Sequence, residues 1–546
     1  MFAERHFSRR GLSRASNFSP WPAGEVCGKY YTLCSYENPS PRSALPRLVP
    51  MICVSLGRAR HTRMIAEHQF LVEQGAELVE LRLDYITRAV NLKRLVNDRP
   101  GPVVIAVRRR EDGGRWNRSE QDRLVLLRSA IASEVDYVDI EADVAAQIPR
   151  YGNTKRIISY HDFSGTPDDL EELHAAMAAE DADIVKIATM ANSYEDNVRM
   201  IELTKNSKIP TIGICMGEIG MMTRILANRV GSPFTYATFS SDKKLAPGQL
   251  NWKDMKRIYH YDSIDNSTAL FGVIADPVAH SHSPLIHNAA FIDQSVNARY
   301  LPFRVPKDDL HHFFDSCEKL GIHGVSITIP HKESALQYCT QAENSATGIG
   351  AINTMVFADD ERYGYNTDYR AAMDCIEQTF NVERGQENSM QGRTALILGA
   401  GGVSRAIAWG LRQRRCDVLI SSRTRQRSEM LASELGCRVI DWDQRHDPKV
   451  HLLVNGTPVG MHPNVDQSPY SSSALNQFMV VFDTVYNPES TLLIKEALRN
   501  RARVITGVDM FVRQAAYQYK LFTGQDAPTE IMREAVKRAT SPVRID

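Results

Sequence analysis

From residue 51 onward the chain alternates short apolar runs with longer stretches whose apolar residues recur at helical spacing. Eight such runs fall at 52–56, 78–83, 103–107, 137–140, 156–160, 184–188, 211–215 and 235–239, and a helical stretch at 64–74 follows the first. Stretches of roughly 15–30 residues separate the runs. Eight of them alternating with helices predict a parallel (β/α)8, or TIM, barrel. A second pattern begins with an apolar run at 270–274 and a helix at 285–291. A third begins at Thr394–Leu398, breaks on Gly399, Ala400, Gly401 and Gly402, and resumes with Val403, Ile407, Ala408 and Leu411. Strand, glycine turn and helix in that order make a dinucleotide-binding crossover, in which glycines let the backbone approach a pyrophosphate and the helix start offers free N–H groups. The chain is therefore α/β throughout.

Chemistry in a parallel barrel gathers where the strands end. Ser55, Glu80, Arg82, Arg108, Glu141, His161, Lys186 and Arg224 fall at or near those ends. Lys186 is flanked by Ile184, Val185, Ile187 and Ala188. Burial of a lysine favours its free amine, the form that attacks a carbonyl. His161 ends the preceding strand and suits proton transfer near neutral pH. Glu141, one strand earlier, is placed to orient His161. Any one of these residues alone reads as ordinary strand polarity; three at successive strand ends read as an active site.

At the nucleotide crossover, the second strand ends in Ser421-Ser422-Arg423-Thr424-Arg425, with Arg427 beyond. An acidic residue there would accept from a free ribose hydroxyl, whereas arginines suit a 2′-phosphate, so NADP is expected over NAD.

The 546-residue length calls for two to four domains, and a formal net charge of zero argues against nucleic acid or an acidic membrane surface as partner. No apolar run reaches a membrane span. Nine cysteines lack zinc or CxxC spacing and read as reduced thiols of a cytosol-like compartment. Residues 1–50 differ, with seven Arg/Lys, three acidic residues, seven Ser and six Pro. That composition fits a plastid transit peptide, but a disordered extension of a cytoplasmic protein, or translation begun ahead of a natural Met51, is preferred.

Residues 51–262 resemble the type I 3-dehydroquinate dehydratases through Ser55, ELRLD (80–84), the Arg108 to Gly113-Gly114 spacing, DIE (139–141), YHDF (160–163), VKIAT (185–189), MGEIGMMTR (216–224) and APGQ (246–249). The resemblance implies a Schiff base on Lys186, with His161 moving the α-proton and Glu141 supporting it. Ser55, Glu80, Arg82, Arg108, Arg224 and Gln249 would hold the substrate's hydroxyls and carboxylate. Leu245 stands where that family usually has a serine.

From about residue 270 to the end the chain resembles shikimate dehydrogenases, through the polar loop 276–284, GVSITIPHK (324–332), GAINT (350–354) and GYNTD (364–368). The resemblance implies a catalytic pair, Lys332 and Asp368. Ser281, Ser283, Thr328, Asn353, Tyr486 and Gln514 would bind substrate. Gly399, Ala400, Gly401, Gly402, Val403, Ser422, Arg423, Thr424, Arg427, Thr484 and Gly507 would bind NADP. The domains implied are an extension (1–50), the barrel (51–262), a substrate domain (263–371) completed by helices in 511–546, and a Rossmann-like domain (372–510). Residues 251–268 read as the barrel's last helix followed by the linker, and the link between Gln249 and Leu270 as a loose tether of about 20 residues that spans roughly 25 Å on average. Together these imply consecutive dehydration and NADPH-dependent reduction on small-molecule substrates, with no metal. A quinate-directed dehydrogenase and a non-catalytic metabolite-binding regulator are the alternatives. Ser281, Ser283 and Thr328 speak against the first. Lys186, His161, Lys332 and Asp368 speak against the second.

Overall fold

The computed structural model describes residues 50–240, 245–279 and 281–540. The expectation for residues 1–50 thus lies, but for Pro50, outside the described residues.

Eight parallel strands form the first sheet: β1 (Ile52–Leu56), β2 (Leu78–Arg82), β3 (Val103–Ala106), β4 (Tyr137–Glu141), β5 (Lys155–Asp162), β6 (Ile184–Met190), β7 (Thr211–Met216) and β8 (Thr235–Thr238). Each pairs with its neighbour in sequence from β1 to β7, and β8 returns to pair with β1. Among the described residues no ladder joins β7 to β8, so the barrel is nearly closed. The β4–β5 connection carries only the 3-10 stretch Ala142–Gln147 where a helix was expected.

The period of two along each strand decides what lines the barrel. Cys53, Leu78, Val104, Ile157, Ile184, Ile212 and Phe234 form an apolar layer. Two residues further along the same faces come Ser55, Glu80, Asp139, Ser159, Lys186 and Tyr236, all buried. The polar layer thus rests on an apolar plug that keeps water from below.

The second sheet contains β9 (Ala269–Ala275), β10 (Ala298–Arg304), β11 (Ile322–Ile327), β12 (Gln341–Ala342), β13 (Thr354–Ala358) and β14 (Glu361–Tyr365), ordered β10-β9-β11-β13-β14-β12. Helices Gly507–Thr523 and Thr529–Thr540 cover one of its faces, packing Val512, Tyr519, Phe522 and Met532 against Phe271, Ile286 and Tyr300. The third sheet is wholly parallel: β15 (Thr394–Leu398), β16 (Asp417–Ser421), β17 (Arg438–Val439), β18 (Leu452–Asn455), β19 (Val480–Asp483) and β20 (Arg503–Ile505). Its order β17-β16-β15-β18-β19-β20 reverses direction at β15, which places the crevice for a dinucleotide at the carboxyl end of that strand.

The connector after the barrel is not a loose tether. Arg299 of β10 is fully buried and donates from Nε to Tyr259 O at 2.7 Å and from Nη2 to His260 O at 3.2 Å and Ser263 Oγ at 2.5 Å. Asp265, Thr268 and Asn297 close a further set of hydrogen bonds beside it. Tyr194 of the barrel helix Tyr194–Asn206 sets its ring against Phe303 and Phe313 and donates to Arg304 O at 2.9 Å. One apolar cluster therefore runs unbroken from the barrel into the second sheet. A loose tether leaves its backbone to water, whereas here Arg299 takes the carbonyls of Tyr259 and His260.

Candidate active sites

In the barrel, the sequence-derived residues converge. Lys186 Nζ donates to Asp139 Oδ2 at 2.8 Å and lies 4.0 Å from Glu80 Oε1. Arg108 pairs with Asp139 Oδ1 at 2.8 Å and with Glu141 Oε1 at 2.8 Å. Ser159 Oγ completes the set by donating to Asp139 at 2.6 Å. Burial alone would raise the Asp139 carboxyl, but Arg108 and Lys186 outweigh it and hold the group well below the usual carboxylate range. Asp139 was not singled out in the sequence, although it lies two residues before Glu141 and so shares its face of β4. That spacing was the signal.

Glu141 does not orient His161. Its two oxygens go to Arg108 and to the fully buried Arg123. The half-buried His161 leaves Nδ1 without a hydrogen-bond partner. Burial, helped by the charges of Arg108 and Lys186, pushes His161 well below the ordinary imidazole range, so it stands as neutral base. Arg82 pairs with Asp84 at 2.8 Å, and Ser55 and Glu80 lie in the same polar layer.

Arg224, in the short helix Met221–Ile225 after β7, is buried with Nε unpartnered and has no ion pair among the described residues. Burial pushes its guanidinium down to about 10. A buried cation without a counter-charge is costly, and such a group is a receiver for an anion. Gln249 uses its side-chain oxygen to hold the loop, accepting from Leu245 N at 2.9 Å and Ala246 N at 3.1 Å.

In the second half, Lys332 Nζ donates to Asp368 Oδ2 at 2.5 Å. Asp368 is held at the start of helix Thr367–Phe380, whose N-cap Asn366 accepts from Tyr369 N. Asn353 spends its amide on Thr367, donating to Oγ1 at 2.9 Å and accepting from N at 2.7 Å, so it fixes Asp368 from behind. Ser281 Oγ accepts from Ser283 N at 3.3 Å, and Tyr486 stacks on Phe511 at 4.3 Å. Thr328 is half-buried, and Gln514 donates to Phe511 O at 3.0 Å. Two residues escaped the sequence reading. Ser326, on the same face of its strand as Thr328, bonds Tyr300 OH at 2.6 Å, and the buried Gln518, one turn after Gln514, donates to Thr354 Oγ1 at 3.1 Å.

The glycine turn fits a dinucleotide. Gly399 has φ +103°, which a side chain tolerates poorly, and a Cβ there would press on Gly456 O at 2.9 Å. A Cβ at Gly401 would meet nothing within 4 Å, whereas one at Gly402 would lie 3.2 Å from Lys332 Cδ. The open start of helix Gly402–Gln413, with Ala400 and Val403 beside it, therefore abuts the Lys332–Asp368 pair. Thr484 donates to Asn455 O at 2.8 Å, and a Cβ at Gly507 would strike Val485 O at 2.2 Å. Ser422 Oγ accepts from Thr424 N. Of the three arginines, Arg425 is committed to Glu429 and Asp441, while Arg423 and Arg427 are exposed and form no ion pair among the described residues.

Against protein-family models, residues 52–266 match the type I 3-dehydroquinase, 273–355 the shikimate dehydrogenase substrate binding domain, and 507–537 the shikimate 5'-dehydrogenase C-terminal domain. A chloroplastic bifunctional 3-dehydroquinate dehydratase/shikimate dehydrogenase of Arabidopsis thaliana is 36% identical over 503 residues, covering 88% of this chain and 83% of that protein. The chain belongs to the bifunctional 3-dehydroquinate dehydratase/shikimate dehydrogenase family. The dehydrogenase half is also 39% identical over 287 residues to a shikimate dehydrogenase (NADP(+)) of Methanopyrus kandleri, covering 50% of this chain and 97% of that one. A solved structure, the dehydroquinate dehydratase and shikimate dehydrogenase from S. pombe AroM, covers 90% of this chain and 98% of its own at 24% identity and a TM-score of 0.40.

Within the dehydrogenase half, Asp483 is a further buried group. It accepts from Thr491 Oγ1 at 2.6 Å, Asn455 Nδ2 at 2.9 Å and Val485 N at 3.0 Å, and so shapes both cofactor-side loops. Burial pushes its carboxyl up to about 6. A carboxyl raised on folding favours the protonated state, so its contribution is full below about pH 4, where the unfolded chain is also protonated. It declines between about 4 and about 6 and is lost above, a change of about 3 kcal/mol. Asp483→Asn should flatten that segment of the stability–pH curve relative to the parent, read from urea midpoints at steps of pH; parallel curves would contradict it.

Proposed function

We propose that the barrel dehydrates 3-dehydroquinate to 3-dehydroshikimate through an imine on Lys186, and that the second half reduces this product to shikimate with NADPH. The observation that carries the reading is the buried set Lys186–Asp139–Arg108 with neutral His161 beside it, and the buried Arg224, without an ion pair among the described residues, on the helix after β7. Arg224 takes the substrate carboxylate. The Lys186 ammonium first releases a proton to water; the free amine then adds to the ketone carbon, and the carbonyl oxygen, protonated in turn, leaves as water. The resulting iminium draws electrons as His161 removes the α-proton, giving an enamine. The enamine returns its electron pair and expels the β-hydroxyl, which leaves as water with the proton from His161. Hydrolysis of the iminium then releases product and restores Lys186.

In the dehydrogenase half, NADPH supplies a hydride when bound. Gly399–Gly402 and the helix start would hold its pyrophosphate, and Arg423 and Arg427 its 2′-phosphate. Lys332 gives a proton to the substrate oxygen as it becomes a hydroxyl, and Asp368 holds Lys332 in place and shares the proton. The serine and threonine set at 281, 283 and 328 supports shikimate over quinate, and turnover on the two polyols compares them. A contact from arginine to phosphate contributes roughly 1.5–3 kcal/mol, about 10- to 150-fold in affinity. Arg423→Ala should raise the NADP dissociation constant by about that factor and hardly change that for NAD. Equal losses would remove Arg423 from phosphate recognition.

Arg304 bridges Glu218, just after β7, at 3.2 Å and Asp276, just after β9, at 3.0 Å, so the strand ends of both halves share an exposed rim. Diffusion across such a rim is fast against a typical turnover of about 10 per second. With 3-dehydroquinate and NADPH, dehydroshikimate absorbance should rise before NADPH is consumed. Added Lys186→Ala protein, competent only in reduction, should capture the free intermediate and shorten the lag. An unchanged lag with no detectable intermediate would mean direct transfer, and no NADPH loss at all would overturn the assigned function. No helix among the described residues is long and apolar enough to cross a membrane. Residues 1–50 are kept as the extension of a cytoplasmic protein; native enzyme found in plastids and shortened to near Met51 would make them a transit peptide.

A further inference from the structure

Tyr236 of β8 lies in the polar layer of the barrel, 3% exposed, and has no part in the steps above. Its ring faces Lys186, with Nζ 4.2 Å from the ring centroid. Aromatic neighbours pack against the ring. Phe234, two residues earlier on the same face, meets it edge-on at 5.7 Å and 61°, and Tyr137 meets Phe234 at 5.7 Å and 71°. The hydroxyl is buried without a hydrogen-bond partner. An aliphatic side chain would fill the layer without burying that hydroxyl, so packing alone does not explain a tyrosine here.

What the ring adds is a negative face beneath the reacting nitrogen. As an ammonium, Lys186 has three N–H donors and reaches Asp139 with one of them. As an iminium it would keep the positive charge but only one N–H, which must serve Asp139 from a nitrogen now flat and fixed by the attached substrate. Hydrogen bonding to the cation becomes restricted, whereas attraction to an aromatic face needs no donor and persists. Resting on the Schiff-base reading of Lys186, we propose that Tyr236 is a catalytic residue whose ring stabilises the positive charge on the Lys186 nitrogen in the covalent intermediates.

The test uses the full chain with 3-dehydroshikimate, excess borohydride and intact-mass detection of the reduced adduct. The amplitude of rapidly trapped adduct reads the iminium population. Tyr236→Leu should require about tenfold more 3-dehydroshikimate for half-maximal trapping, the scale of a desolvated cation–π contact. Tyr236→Phe keeps the ring and should bring the half-point back to within about twofold of the parent. Phenylalanines carrying one, two and then three ring fluorines at position 236 drain the ring face without changing its shape, and should raise the half-point stepwise. Shikimate oxidation by the other half of each variant reports folding. If the leucine variant fails that check, the fluorinated series decides alone. A flat fluorine series, a leucine variant that traps like the parent, or a phenylalanine variant as weak as leucine would overturn the role of the ring. Absence of adduct in the parent would instead sink the Schiff-base reading and this proposal with it.

Discussion

Lys186→Ala should abolish dehydration while shikimate oxidation continues at the parent rate. Loss of a covalent nucleophile is felt on the order of 10⁴-fold or more in turnover. The barrel should survive the change, because Asp139 keeps Arg108 at 2.8 Å and Ser159 at 2.6 Å as compensating partners. Removing the only partner of a buried charge costs about 3–5 kcal/mol, and here a second cation stays. Borohydride with 3-dehydroquinate should add ligand mass to a peptide containing Lys186 in the parent and to no peptide in the variant. A labelled peptide that lacks Lys186 would refute the assignment. Parallel loss of both activities would show that the change unfolds the chain, and Lys186→Met, closer in volume, would then replace it.

Arg224→Met should separate stability from catalysis in the opposite direction. The guanidinium is buried, has no ion pair among the described residues, and is pushed down to about 10. A displacement of that size corresponds to about 3 kcal/mol of strain in the ligand-free protein. Methionine fills similar space without charge, so the ligand-free variant should melt higher than the parent. Its dehydratase kcat/KM should fall by on the order of 10²–10³, as a buried charge contact is worth about 2–5 kcal/mol. The product 3-dehydroshikimate should raise the melting temperature of the parent through the barrel site more than that of the variant. A variant that melts lower and keeps its kcat/KM would show Arg224 to be structural.

The eight barrel strands were legible because each is a short, mainly apolar run set off by longer stretches. Lys186 and His161 stood out as polar breaks within or just after such runs. The partner of each was not legible. Asp139 and Glu141 lie two residues apart on one face of β4, and only the stagger of neighbouring strands decides that Asp139 meets Lys186 while Glu141 meets Arg108 and Arg123. Tyr236 reads in sequence as an ordinary strand aromatic, since nothing local reveals what faces its ring. The helix Trp252–Arg257 lies where a last barrel helix was expected, and only the linker beyond it was misread, for a different reason. Its composition is polar, and what pins it is an arginine from β10 binding backbone carbonyls, which leave no mark in a sequence. The nucleotide crossover was legible through its glycines. Which arginine remains free depended on Glu429 and Asp441 claiming Arg425.

The Arg299 clamp has a consequence for how the molecule comes apart. Its guanidinium belongs to the second sheet, yet its acceptors belong to the last turns after the barrel. Melting the barrel side would strand the charge in the second sheet, and melting the second sheet would leave the carbonyls of Tyr259 and His260 without their donor. Heat should therefore take the barrel and the second sheet through a single calorimetric transition, with a van't Hoff enthalpy larger than either would give alone. A chain cut between residues 263 and 268 would yield two proteins that each lose more in cooperativity than in contacts, and a gene fusion of two enzymes would have become, in its unfolding, one.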